Sequence, residues 1–153
     1  MPVKNIIICD IDGTVADLSH RLPLVKNGNH DWDTFHSLVD KDSPRDDVIA
    51  LVQLLAANYK LYFVSGRNES SREKAVEWLK QHGLYVDCKG LYMRPENDTR
   101  DDRIIKKEIL DEHFGDKKDQ ILMVIDDRPK VVAMWKQEGL DVLDVGPGPD
   151  KPF

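Results

Sequence analysis

Ile6-Ile7-Ile8-Cys9-Asp10-Ile11-Asp12-Gly13-Thr14 reads as a buried strand that runs directly into two carboxylates placed two residues apart. Alternation along extended backbone points Asp10 and Asp12 the same way, and Gly13 permits a tight turn that exposes amides to a ligand. Acids and a glycine at one strand end are ordinary loop punctuation. Two further strand ends carry matching residues, however: Val64-Ser65-Gly66-Arg67 follows Lys60-Leu61-Tyr62-Phe63, and Asp126-Asp127-Arg128 follows Ile121-Leu122-Met123-Val124-Ile125. Three such ends together imply phosphate chemistry with a nucleophile, an acid and a metal.

With 153 residues, 41% hydrophobic and 33% charged, the chain suits a single domain with a real core. Its apolar runs are strand-length, too short for an export signal or a membrane span, so no membrane partner and a cytoplasmic location are expected. Cys9 lies within the first strand, and with Cys88 as its only companion neither a disulfide framework nor a thiolate metal site is indicated. The five histidines show no paired spacing for zinc. A net charge of −6 argues against a broad nucleic-acid-binding face. A small positive pocket is still available, because Arg21, Arg67, Arg94, Arg100, Lys106 and Arg128 all lie near the candidate segments.

Strand patterns near Asn5 to Asp10, Lys60 to Ser65, Leu91 to Arg94, Gln120 to Ile125 and Asp141 to Val145 alternate with helical ones, which predicts an α/β fold with a parallel sheet. The first long helix is expected to start at Ser43-Pro44, with Ser43 as N-cap, and to bury Val48, Leu51, Val52 and Leu55. A second spans Ser71 to His82, stops at Gly83 and packs Ala75, Trp78 and Leu79. A third runs from about Asp101 to Phe114, and a fourth from Pro129 to before Gly139, with Val132 and Trp135 toward the sheet. The tail from Gly146 to Phe153 suits neither strand nor helix. Ligands of such sheets sit beyond the carboxyl ends of the strands, so the segment Asp17 to Asp42 is expected to be a small flap bordering the site, within one domain spanning 1–153. Its Trp32 reads as packing the flap over the core, with stacking on a base as the other reading.

Asp-x-Asp-Gly-Thr, a later Ser65, Lys106 and the paired acids Asp126-Asp127 stand in the order found in the haloacid dehalogenase (HAD) superfamily, which the chain resembles. The resemblance implies a Rossmannoid parallel sheet sandwiched by helices, with only a small cap insertion. It further implies that Asp10 is the nucleophile forming an aspartyl-phosphate and that Asp12 is the general acid for the leaving oxygen and the base for water. Ser65 and the Gly66 amide would hold phosphoryl oxygens, and Lys106 would neutralise the nucleophile. A phosphate dianion approaching these acids needs a divalent cation, and magnesium suits the ligands: Asp10, Asp12 through its carbonyl, and one or both of Asp126 and Asp127. Asp102, at i,i+4 spacing before Lys106, would orient the lysine, with an ordinary helix-surface ion pair as the other reading.

A narrower likeness is carried by Arg94-Pro95-Glu96-Asn97-Asp98-Thr99-Arg100-Asp101-Asp102-Arg103-Ile104-Ile105-Lys106, together with Arg21, Arg67, Asp126-Asp127-Arg128 and Val131-Val132-Ala133-Met134-Trp135. These segments resemble the phosphatase domain of phage polynucleotide kinase-phosphatases and imply removal of a 3′-phosphate from DNA or RNA ends. The substrate-binding set would be Thr14, Arg21, Gly66, Arg67, Arg94, Asp102 and Arg128, with guanidinium forks on phosphates. The Asp17 to Asp42 segment differs from that family, and Asp101 puts an acid where its enzymes can carry a base. A Gly-x-x-x-x-Gly-Lys-Ser/Thr loop does not occur, so no kinase domain is expected in this chain. Two other functions fit parts of the pattern. A nucleoside monophosphate phosphatase would use the same machinery under a closing flap, and a noncatalytic phosphate-responsive module would gather similar acids but place its phosphoacceptor later. None of these features sets an oligomeric state.

Overall fold

The computed structural model describes residues 2–146, so all of the tail expectation except Gly146 lies outside the described residues. In chain order the elements are β1 (Ile6–Cys9), β2 (Ala16–Asp17), α1 (Trp32–Ser37), β3 (Ser43–Pro44), α2 (Asp46–Ala56), β4 (Lys60–Asn68), α3 (Arg72–Gln81), β5 (Cys88–Arg94), α4 (Asp102–Phe114), β6 (Ile121–Asp126), α5 (Pro129–Gln137) and β7 (Val142–Asp144).

Strand β1 is buried at every position because both faces of the sheet are covered. Period-2 alternation sends its residues to opposite sides. Ile7 and Cys9 join one core with Val48, Ile49 and Val52 of α2 and Ala75, Trp78 and Leu79 of α3. Ile6 and Ile8 join the other with Ile105, Ile109 and Leu110 of α4 and Val131, Met134 and Trp135 of α5. Each of the Val, Leu, Ile and Met side chains among them contributes about 1.5–3 kcal/mol by leaving water.

The sheet is parallel throughout, in the order β5-β4-β1-β6-β7, which is the α/β architecture expected of a HAD fold. From β1 the chain crosses to β4 and β5 on one side, then returns to β6 and β7 on the other. The strand order therefore reverses between β1 and β6, and the crevice at that point is where ligands of open α/β sheets bind. Among the described residues, no helix is long and apolar enough to cross a membrane.

Ser43 and Pro44 correct one expectation. They form β3, pairing antiparallel with Asp17 and Ala16, and α2 starts two residues later with Arg45 at its N-cap. Proline's fixed φ and missing donor suit a short edge strand as well as a first helical turn. Here the Arg45 amide, bonded to the Val15 carbonyl at 2.8 Å, holds the chain extended until Asp46. The β2–β3 pair thus ties together the two ends of the 18–42 stretch. Within that stretch Trp32 does not pack on the core: it is 49% exposed, while Phe35 is buried in its place.

Candidate active site

Cys9 pairs with Ile125 on one side and Phe63 on the other, so Asp10 and Asp126 follow the paired residues directly and Ser65, still within β4, stands two residues beyond Phe63. Asp10, Asp126, Asp127 and Lys106 are all buried there. The Lys106 ammonium reaches from α4 to donate to Asp10 Oδ1 at 2.7 Å and Asp126 Oδ2 at 2.9 Å. Gly13, with φ of 81°, turns the chain back so that the Thr14 hydroxyl meets Asp10 Oδ2 at 2.9 Å and Asp127 Oδ1 at 3.3 Å. Asp126 also accepts from the Trp135 indole at 3.1 Å and the Asp127 amide at 2.8 Å.

Burial, followed by the neighbouring Asp126 charge, pushes the Asp10 carboxyl well above the usual carboxylate range, with Lys106 opposing. Burial works against the Lys106 charge, but Asp10 and Asp126 outweigh it and hold the ammonium well above the usual lysine range. Asp10, Asp126 and Asp127 each bring a carboxylate oxygen to within 4.8 Å of the others. Three acids facing one ammonium leave an excess of negative charge, and an all-oxygen donor set suits a hard divalent cation.

Asp12 lies in a second network. Arg21 Nη2 and Arg67 Nε donate to its Oδ1 at 2.8 and 2.9 Å. Both guanidiniums are buried and are held from behind by buried Asp42. Asp42 Oδ1 accepts from Arg21 Nε at 2.8 Å, and its Oδ2 accepts from Arg21 Nη2 at 2.8 Å and Arg67 Nη2 at 2.9 Å. The main-chain carbonyl of Asp42 is fixed by the Trp78 indole at 2.8 Å. Burial opposes ionisation of Asp12, yet Arg67 and then Arg21 outweigh it and hold the carboxyl at about 2. Arg67 Nη1 is buried with no hydrogen-bond partner among the described residues. Arg21 also lies 4.3 Å over the Phe35 ring.

A third cluster corrects the expected Asp102 to Lys106 pair. Asp102 instead bonds Arg94 Nη2 and Arg128 Nη1 through its two oxygens, because it opens α4 and faces β5 and the 126–128 turn, while Lys106 points into the sheet. Arg94 also donates to the Gly66 carbonyl at 2.8 Å. Ser65 Oγ, buried, accepts from the Arg67 amide at 3.0 Å. Gly66 leaves no room for a side chain: a Cβ there would stand 2.5 Å from Asp102 Oδ1. Gly66→Ala is therefore expected to displace Asp102 from its two arginines and to lower kcat/KM by roughly 10²-fold, the order of an ångström's misplacement. Steady-state kinetics with any accepted phosphomonoester checks this, and unchanged turnover would show that the close approach is dispensable.

Asp10, Asp12, Thr14, Arg21, Ser65, Gly66, Arg67, Arg94, Asp102, Lys106, Asp126, Asp127 and Arg128 fall in these three clusters, whereas the Arg100 guanidinium turns outward to Asp98 and Glu108. Asp42 and Arg45 were missed. Arg45 donates to the Gly13 and Val145 carbonyls at 2.8 and 3.0 Å, tying the first turn to the end of β7. No local pattern marks it. Asp42 was detectable only as the counter-charge that two buried arginines require.

Residues 4–149 match the model of the polynucleotide kinase PNKP phosphatase domain. A protein of Autographa californica nuclear polyhedrosis virus, named as a bifunctional polynucleotide kinase/RNA ligase, is 34% identical over 134 residues, covering 85% of this chain and 17% of its own length. A chain of the Pnkp1/Rnl/Hen1 RNA repair complex superposes with a TM-score of 0.76 at 32% identity, over 95% of this chain and 43% of that one. The HAD-hydrolase YfnB of Bacillus subtilis, solved bound to magnesium, shares the fold with a TM-score of 0.63 at 12% identity, over 92% of this chain and 87% of its own. The chain thus spans less than half the length of the first two.

Proposed function

We propose that this chain, which belongs to the polynucleotide kinase PNKP phosphatase domain family and is a HAD-type phosphatase, removes the 3′-phosphate from DNA or RNA ends through a phosphorylated Asp10. The observation that carries the mechanism is the setting of Asp10: a buried carboxylate at the strand-order reversal, with Lys106 on one oxygen and Thr14 on the other. An Asp10 oxygen attacks phosphorus as the bond to the 3′-oxygen breaks, and Asp12 gives that oxygen its proton. Asp12 then takes a proton from water, the water oxygen attacks phosphorus, the Asp10 carboxylate leaves, and inorganic phosphate is released.

At rest Asp12 is ionised near neutral pH, because Arg21 and Arg67 hold it at about 2. An arriving phosphate dianion places negative charge beside it and competes for the two guanidiniums, both effects raise its proton affinity, and the carboxylate takes up a proton from solvent as substrate binds. Buried Arg67 Nη1, with no partner among the described residues, is the donor ready for a phosphoryl oxygen. Ser65 and the Gly66 amide take the others, while Arg94, Asp102 and Arg128 shape the rim.

Magnesium fits the acidic set, and a hydrolase of the same fold binds it. Asp10, the Asp12 carbonyl and one or both of Asp126 and Asp127 would hold the ion. Its chemistry is to neutralise phosphoryl charge beside the acids.

A nucleic-acid substrate is supported by the family match and by the two relatives named for polynucleotide and RNA work. The test compares kcat/KM for matched 3′-phosphorylated oligonucleotides, 3′-mononucleotides and 5′-mononucleotides, with magnesium and with EDTA. The expected result is a strong oligonucleotide preference that EDTA abolishes. Preference for mononucleotides would move the function to nucleotide metabolism, and a phosphorylated protein that never turns over would indicate the phosphate-responsive module.

A further inference from the structure

In-line displacement puts the leaving oxygen opposite Asp10, on the side of the acid that protonates it. Asp12 marks that side, and a continuous set of contacts runs outward from it. Arg21 donates to Asp12 at 2.8 Å, the Arg21 guanidinium lies 4.3 Å over the Phe35 ring, and the Phe35 ring centroid is 5.5 Å from that of Trp32. Trp32 is held by a stack on His36, with centroids 6.0 Å apart and planes 27° from parallel. His36 also meets the Phe35 ring edge-on at 5.4 Å, so α1 is joined through Phe35 to the Arg21–Asp12 pair. A large ring that is 49% exposed, braced by a second ring and seated on the leaving-group side, is arranged as a platform for a flat, apolar-faced group. Simple core packing is already supplied by Phe35.

We infer that Trp32, backed by His36, is the stacking platform for the base of the 3′-terminal nucleotide, so that the flap reads the leaving group as a nucleoside. This rests on the proposed 3′-phosphatase activity. Stacking tolerates any base, so the platform discriminates a base-bearing end from a baseless one and not one base from another.

The test uses two 3′-phosphorylated oligonucleotides that differ only in the terminal residue, one with its base and one with a tetrahydrofuran in place of the nucleoside. Wild type should favour the base-bearing end by roughly tenfold in kcat/KM, Trp32→Ala should bring the ratio close to one, and Trp32→Phe should keep most of it. A flap that merely collapses in Trp32→Ala lowers both rates and leaves the ratio intact, and that outcome overturns the inference. A second readout is intrinsic fluorescence. Trp78 and Trp135 are 1% and 0% exposed, so a stacked terminal base should quench mainly Trp32 on binding of the 3′-hydroxyl product, and the baseless product should not. Equal quenching by both overturns the platform while leaving the phosphatase reading in place. Failure of wild type to release phosphate from either oligonucleotide overturns the phosphatase reading, and the inference with it.

Discussion

Asp10→Asn is expected to lower phosphate release by about 10⁴-fold or more, the order lost when a covalent nucleophile is removed. The amide keeps the shape of the carboxylate, its one oxygen can still accept from Lys106, and its NH2 can donate to the Thr14 hydroxyl oxygen, so the loss reports chemistry and not collapse. Stability supports the distinction. Burial and Asp126 already push the Asp10 carboxyl upward, which means that its charge is held at a cost in the folded state. Removing that charge relieves repulsion from Asp126 and Asp127, and the melting temperature should hold or rise. Activity within tenfold of wild type would rule Asp10 out as the nucleophile.

Asp42→Ala should produce the largest loss of stability among single substitutions at the site. It leaves the Arg21 and Arg67 guanidiniums buried with Asp12 as their remaining carboxylate, and stranding a buried charge in this way costs about 3–5 kcal/mol. For a chain of this size that corresponds to a melting point lower by roughly 6–20 °C. Chemical denaturation with urea gives the free energy directly. Asp40, on the same stretch, pairs with Lys41 and Lys74 only at 3.8 Å and is partly exposed, so Asp40→Ala should cost less than about 1 kcal/mol. Equal effects for the two would mean that the buried network adds nothing to stability.

The contrast between these two aspartates shows where sequence reading ends. The acids Asp10, Asp12 and Asp126 were legible because strand-to-turn transitions are local: an apolar strand followed by an acid fixes both element and orientation, whereas Lys106, inside a helix, was named only through the family resemblance. The helix faces were legible for the same reason, with Ala75, Trp78, Leu79 and Trp135 buried as their spacing predicts. Asp42 was not, because its partners lie 21 and 25 residues away and nothing local separates it from Asp31, Asp33 or Asp40. Asp102 was assigned to Lys106 by helical spacing, and lost that partner to two arginines that reach it from a strand end and a turn. Ser43-Pro44 has the grammar of a helix start, and a tertiary pairing with Ala16 and Asp17 overrode it. Trp32 looked like core because tryptophan usually is, and Phe35 three residues later took that place.

The most direct test of the central claim is transfer of the phosphoryl group itself. Protein mixed with a 3′-phosphorylated oligonucleotide and magnesium, quenched in acid within one turnover and digested, should yield a peptide spanning Asp10 that is heavier by one phosphoryl group. The Asp12→Asn variant, lacking both the acid for the leaving oxygen and the base for water, should form this peptide more slowly and, once it has formed, lose it more slowly than wild type. Release of inorganic phosphate at the full rate with no modified Asp10 peptide in either protein would contradict the covalent mechanism.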